Sequence, residues 1–242
     1  MSYALRYYRD WVRKDGLVSF EVKYRETDLS VRARRELSDE TLRLVRRFRA
    51  EIELYAEGHA GFLEAQSPWA EDAAAPAIVQ SMIRASSLYG VGPMAAVAGA
   101  VAEYVGTELL HETPEVVVEN GGDVFLRMDR PVRLLLYSGE TSPFGGRLVL
   151  KLDAPGEVRG ACTSSARVGP SVSYGEADAV MTIAESAVLA DAAATAIGNR
   201  VRSPDDVTDI LEAEKKRGLL RGVVVTVGRT FGAFGDVELE QI

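Results

Sequence analysis

Apolar and polar residues alternate through Val18-Ser19-Phe20-Glu21-Val22-Lys23-Tyr24, the period of a strand with one buried face. Leu29, Val31 and Ala33 resume the alternation after Glu26-Thr27-Asp28, which predicts a hairpin. Beyond Ser38, which has the chemistry of an N-cap, the period lengthens. Leu42, Val45, Ile52 and Tyr55 then form one stripe of a helix that Gly58 and Gly61 end. Residues 64–76 are small and polar and predict a loop closed by Pro76. Ala77 to Leu88 predicts a second helix, and Gly90-Val91-Gly92-Pro93 breaks the chain. A third helix is expected from Met94 to about Leu109, because a proline before its first turn lacks an N–H that would find no partner there.

Val116 to Glu119 and Val124 to Met128 predict strands flanking Asn120-Gly121-Gly122-Asp123. Arg133 to Tyr137 and Arg147 to Leu152 are expected to continue the same sheet. Asp178 to Ala184 reads as a strand, and Ser186 to Ile197 and Pro204 to Lys216 as helices joined by a turn over Asn199–Ser203. Gly222 to Val227 and Val237 to Glu240 close the chain as strands. Strand pairs alternating with helix pairs give an α+β class, with a mostly antiparallel sheet and packed helix pairs. No linker or low-complexity run divides the 242 residues, so one domain over 1–242 is expected.

Composition narrows the classes. The chain is 47% hydrophobic and 26% charged, with no apolar run of the roughly 20 residues that span a bilayer. Met1 to Lys14 is charged and aromatic and has no apolar core of a leader peptide, so a cytoplasmic protein without a membrane or lipid anchor is expected. One cysteine excludes an internal disulfide and a Cys-based zinc site, and two histidines exclude a three-histidine centre. Residues 1–50 carry a net charge of +5 within a chain of −8. The arginines Arg32, Arg34, Arg35, Arg43, Arg46, Arg47 and Arg49 read as a solvated helix face, because the acidic remainder opposes nucleic acid and no aromatics interleave with them.

Candidate chemistry gathers in four places. In Ala190-Asp191-Ala192-Ala193-Ala194-Thr195, Asp191 and Thr195 are the oxygen-bearing side chains of an alanine run, and four-residue spacing puts them on one helix face. A carboxylate and a hydroxyl so placed suit Mg²⁺, which uses few protein ligands and keeps waters. The alternative has Asp191 simply favoured by its helix dipole, with Thr195 bonding its own backbone. Asp178 is a third ligand or a turn residue. The helix after Gly92-Pro93 either offers free N–H groups to a phosphate or is a close-packed core helix. Asn120-Gly121-Gly122-Asp123 reads as a tight hairpin turn or, alternatively or in addition, as a turn stripped of side chains so that a flavin, ribose or pyrophosphate can rest on its backbone. Thr163-Ser164-Ser165, followed by Arg167-Val168-Gly169-Pro170-Ser171, reads as a hydroxyl-rich loop with one phosphate-binding arginine, or as a solvated loop. Cys162 beside it is either a small buried hydrophobe or a reactive thiol.

In order and spacing, four segments resemble the ApbE-like family, relatives of the FAD:protein FMN transferases. They are Gly92-Pro93-Met94-Ala95-Ala96-Val97-Ala98-Gly99, Glu119-Asn120-Gly121-Gly122-Asp123, Cys162-Thr163-Ser164-Ser165 with Arg167 to Ser171, and Ala190-Asp191-Ala192-Ala193-Ala194-Thr195-Ala196. The resemblance implies an α+β fold related to the T-fold. It implies Mg²⁺ on Asp191, Thr195 and the carbonyl of Ala98. It further implies FAD, or another nucleotide, lined by Gly92, Asn120, Gly121, Gly122, Asp123, Thr163, Ser164 and Ser165. The chain departs from the transferases in having Gly99-Ala100 where they carry Lys-Gly. It has Ser173-Tyr174-Gly175-Glu176 where they carry His-x-x-Asp-Pro. Transfer of FMN or a nucleotidyl group, or hydrolysis, therefore stands open. A second reading makes Cys162 the persulfide carrier of a sulfur-assimilation (homocysteine-forming) factor, and a third keeps the pocket as a non-catalytic binding module. The implied partner is a small nucleotide or flavin, with no nucleic acid and no membrane, and a homodimer through an exposed sheet edge or a small-residue helix.

Overall fold

The computed structural model describes residues 16–136, 142–144, 148–165 and 175–241. Met1 to Lys14, Tyr137, Arg147, Arg167 to Ser171 and Ser173-Tyr174, all read from sequence above, lie outside the described residues. The hairpin forms as expected, with β1 (Val18–Tyr24) antiparallel to β2 (Thr27–Ala33). β3 (Val116–Asn120), β4 (Asp123–Arg127), β7 (Val158–Ser164), β8 (Ala179–Ala184), β9 (Gly222–Val227) and β10 (Thr230–Gly235) extend it into one eight-stranded sheet. Its order is β1-β2-β3-β4-β7-β8-β9-β10, and every neighbouring pair is antiparallel.

Two-residue alternation sorts the side chains of this sheet between two cores. Val116 and Val118 face the helices, while Val117 faces a smaller sheet on the opposite side. That second sheet corrects the expectation that the chain after Met128 continues the first. β5 (Val132–Leu136) and β6 (Leu148–Leu152) join β11 (Glu238–Gln241) in a separate three-stranded sheet, order β11-β6-β5. Leu136, Leu148, Leu150 and Leu152 pack there against Leu126, Met181 and Ile183. β8 and β9 are thus covered on both faces, which is why they read as unbroken apolar runs.

Among the described residues, five α-helices cover the other face: α1 (Ser38–Gly58), α2 (Ala77–Tyr89), α3 (Val97–Leu109), α4 (Ala187–Arg200) and α5 (Asp206–Arg217). None is long and apolar enough by itself to cross a membrane. On α1 the buried stripe runs through Thr41, Leu44, Val45, Phe48, Ile52 and Tyr55, so Leu42 sits at its margin. Ser38 does not cap α1; Leu37 holds that position, and the Ser38 hydroxyl turns back to Glu36. The arginines of this region are engaged by acids of the same chain. Arg43 pairs with Glu40, Arg47 with Glu51 and Glu108, and Arg49 with Glu26 and Glu53.

The third helix starts later than expected. Pro93–Ala96 forms a 3₁₀ turn, and α3 begins at Val97 with Ala96 as its N-cap. An alanine supplies no capping oxygen, so the acceptors for this helix end come from elsewhere in the chain. α4 is capped by Ser186, whose Oγ accepts from the Leu189 N–H at 3.3 Å. Glu103 of α3 completes that end, accepting from the Ser186 hydroxyl at 2.7 Å and from the Val188 N–H at 3.1 Å. Two strands escaped the sequence reading: β7, where a hydroxyl-rich loop was expected, and β10, whose two glycines disguise it.

Replacing Glu103 by Ala is expected to lower stability by about 1–2 kcal/mol, the usual cost of a lost helix cap. Urea denaturation of the variant beside the parent checks this, and an unshifted midpoint would refute the capping role.

Candidate functional site

The site lies on the helix face of the sheet, where the β3–β4 turn meets the starts of α3 and α4. Gly121 and Gly122 make the two-residue turn, with φ of 71° and 109°. These backbone angles exclude ordinary side chains and explain the Gly-Gly pair. Glu119 fixes the turn by accepting from the Gly122 N–H at 2.8 Å. Pairing of Asn120 with Asp123 puts both side chains on the helix face. The Asn120 amide donates to the Ala98 carbonyl at 3.1 Å, and Asp123 Oδ1 accepts from the Thr163 N–H at 3.3 Å.

α4 crosses this corner almost wholly buried, as an alanine-rich helix must when it is enclosed on all sides. Asp191 is buried on it, and its Oδ2 accepts from the Gly99 N–H at 2.8 Å. The Ala98 N–H helps to hold the same carboxylate. This approach requires Gly99 to be glycine: a Cβ there would stand 2.3 Å from the Ala187 carbonyl oxygen and 2.8 Å from the Asp191 Cβ. The N-terminus of α3, read either as a phosphate site or as a close-packed core helix, is occupied at Gly99 by a carboxylate of the chain itself.

Burial raises the pKa of Asp191 to about 7, against the pull of the Gly99 and Ala98 N–H groups. Asp123 is driven well above the usual carboxylate range by its burial and then by the neighbouring charge of Asp191. Among the described residues no Lys or Arg forms an ion pair with either acid. Cys162 lies beside them, fully buried, with its Sγ donating to the Ala187 carbonyl at 3.3 Å. Burial and the two carboxylates push its thiol up, away from the thiolate that nucleophilic sulfur chemistry needs.

The structure thus brings Ala98, Asn120, Gly121, Gly122, Asp123, Cys162, Thr163 and Asp191 into one corner. Thr195 is half-buried one turn further along α4, and Ser164 of β7 approaches the last turn of that helix near Gly198. Three other residues are turned to different tasks. Gly92 is buried beneath the loop of residues 59–76, where an added Cβ would stand 1.7 Å from the Ala65 carbonyl oxygen. Close chain packing accounts for that glycine. Ser165 donates its hydroxyl to the Asp178 carbonyl at 2.5 Å, and Asp178 Oδ2 accepts from the Gly228 N–H at 2.8 Å. Glu103, which ties α3 to the start of α4, escaped the sequence reading, and Glu119 entered it only as part of the turn segment, not for its hold on the turn. A glutamate two residues before the Gly121-Gly122 pair was the one local signal, for Glu119.

Comparison with solved structures places the fold. The apo crystal structure of the flavinyl transferase ApbE from Pseudomonas stutzeri superposes with a TM-score of 0.62 at 14% identity, covering 90% of this chain and 93% of that one. The flavin transferase ApbE from Vibrio cholerae gives 0.58 at 13% identity, covering 90% of this chain and 96% of its own. The fold is that of an ApbE-like α+β protein. The family model described as AbpE bacteria matches residues 9–228, and the chain belongs to that family. Among its relatives are UPF0280 proteins of Methanopyrus kandleri and Methanocaldococcus jannaschii. The first is 41% identical over 78% of this chain and 76% of its own length, the second 40% identical over 78% of each.

The raised pKa of Asp191 has a definite sign for stability. The folded chain holds this proton more tightly than the unfolded chain, so stability falls as pH rises from about 4 to about 7. In metal-free buffer, Asp191→Asn is expected to flatten this part of the profile, read as unfolding midpoints across that range. Parallel profiles for parent and variant would contradict it.

Proposed function

We propose that this protein binds FAD, or a related nucleotide pyrophosphate, together with Mg²⁺ at the corner formed by the β3–β4 turn, α3 and α4. One observation carries the reading: Asp123 and Asp191 are buried side by side, and no base among the described residues neutralises them. Two desolvated carboxylates in contact are unfavourable alone, and a divalent cation relieves both burial and repulsion. The donor set fits Mg²⁺. No group of three or more His, Cys, Asp or Glu among the described residues could hold a metal. A softer or more protein-rich site is therefore disfavoured, whereas Mg²⁺ completes its shell with water and phosphate oxygens. Asp123, Asp191, the Ala98 carbonyl and the Thr195 hydroxyl are the oxygens that would hold it.

When bound, the metal supplies Lewis-acid polarisation of a pyrophosphate and stabilises charge on it. The chain's own residues do the positioning. α3 orients the Asp191 carboxylate through the Gly99 N–H, and Asn120 fixes the Ala98 carbonyl. The bare backbone of Gly121 and Gly122 lets a nucleotide lie against the turn, with Thr163 next to Gly122 and the Ser164 hydroxyl further off, by Gly198 of α4. The fold shared with flavinyl transferases makes a flavin nucleotide the preferred ligand, and cleavage of its pyrophosphate by transfer or hydrolysis the preferred chemistry. The persulfide role of Cys162 lacks comparable support, because its sulfur is sealed from solvent and held as the thiol.

Calorimetric titration with FAD tests the proposal. Binding is expected to tighten about tenfold or more with Mg²⁺, a difference of about 1.4 kcal/mol. Asp191→Asn and Asp123→Asn are expected to abolish that enhancement, while Cys162→Ser retains it. Failure to bind FAD and simpler adenine nucleotides, with and without Mg²⁺, would overturn the reading.

A further inference from the structure

We propose that β10 and α5 form a self-complementary surface through which two copies of this chain pair edge to edge. β10 ends the eight-stranded sheet, and among the described residues no strand lies on its outer side. Its sequence, Thr230-Phe231-Gly232-Ala233-Phe234-Gly235, contains no lysine, proline or charged residue of the kind that keeps an edge strand single. The opposite edge is different: β1 exposes Glu21 and Lys23. In a hairpin closed by the pair Val227↔Thr230, the alternation of the ladder turns the backbone groups of Phe231 and Ala233 away from β9. Those are the donors and acceptors that a further strand takes. Phe231 is 50% exposed on this edge.

A groove of about 290 Å³ runs beside the strand, between β10 and α5. Val207 and Leu211 close its floor against Gly232, where an added Cβ would stand 2.7 Å from each. Glu212 and Lys215 line the groove, are exposed, and form no ion pair with any described residue. This pattern selects the occupant. A two-fold axis through an antiparallel β10–β10 pair sets the two α5 helices side by side and antiparallel. Lys215 of one copy then approaches Glu212 of the other, twice over, as an isologous contact demands. An unrelated extended peptide would use the strand edge and leave both charges unmatched.

Sedimentation velocity of the full chain over the micromolar range tests this. The parent is expected to show a monomer–dimer equilibrium. Ala233→Pro removes an outward N–H at an edge position that tolerates proline, and is expected to weaken the dimer about tenfold or more. Lys215→Glu, a surface change with little risk to folding, places like charges across the seam and is expected to weaken it as well. Combining Glu212→Lys with Lys215→Glu is expected to restore it. A parent that stays monomeric throughout, or a dimer whose constant neither Ala233→Pro nor Lys215→Glu alters, would overturn the proposal.

Discussion

The close crossing of α3 and α4 at Gly99, Ala187 and Asp191 is the contact on which the rest of the structure depends. Each helix caps the other. Asp191 of α4 accepts from the N–H of Gly99 in the first turn of α3, and Glu103 of α3 accepts from the N-terminus of α4. Helix ends leave donors without partners and carry partial positive charge, so a carboxylate at each end, Asp191 buried and Glu103 half-buried, serves both needs. The backbones can come this near because the chain offers glycine and alanines at the crossing. β7 takes part in the same contact: an added Cβ at Gly160 would stand 2.3 Å from the Ala187 Cα. Helices and sheet are thereby locked in one register.

That crossing also creates the site. Asp191 is held where it caps α3, and the hairpin turn brings Asp123 to the same corner. Their mutual repulsion and loss of hydration oppose the stabilisation that the α3 amides provide. A helix cap contributes on the order of 1 kcal/mol, whereas burying an unpaired charge costs several. The balance is met by holding protons, the direction in which burial shifts both acids. Cys162, enclosed between these carboxylates and the Ala187 carbonyl, is a small packing residue of the same contact.

Among the described residues, Arg43, Arg47 and Arg49 of the basic N-terminal region meet acids on α1, on the last turn of α3 and on the β1–β2 turn, mostly at the surface, where each pair contributes little. Glu115 is the exception. It is fully buried and meets both Arg34 and Arg130, so it fastens the start of β3 between the end of β2 and the turn that leads to the second sheet. Leaving the buried Glu115 carboxylate without its half-exposed arginines is more damaging than losing a pair exposed on both sides.

Local pattern alone determined much of this protein. The β1–β2 hairpin, α1, α2, the Gly121-Gly122 turn and the apolar runs of β8 and β9 are each dictated by periodicity or by a backbone angle, which neighbouring residues encode. The place of Asp191 and Thr195 one turn apart on one helix, and of Asn120 and Asp123 beside a bare turn, was legible for the same reason. What depended on residues far apart in sequence was decided only by the tertiary structure. β5 and β6 look like any other strands until their partner proves to be β11. Ala98 to Gly99 looks like an open helix start until Asp191, 92 residues away, arrives to cap it. Gly92 looks like a ligand glycine until Ala65 packs against it. Sequence spacing fixes which atoms share a face of one element; which other element covers that face is set by packing across the whole core.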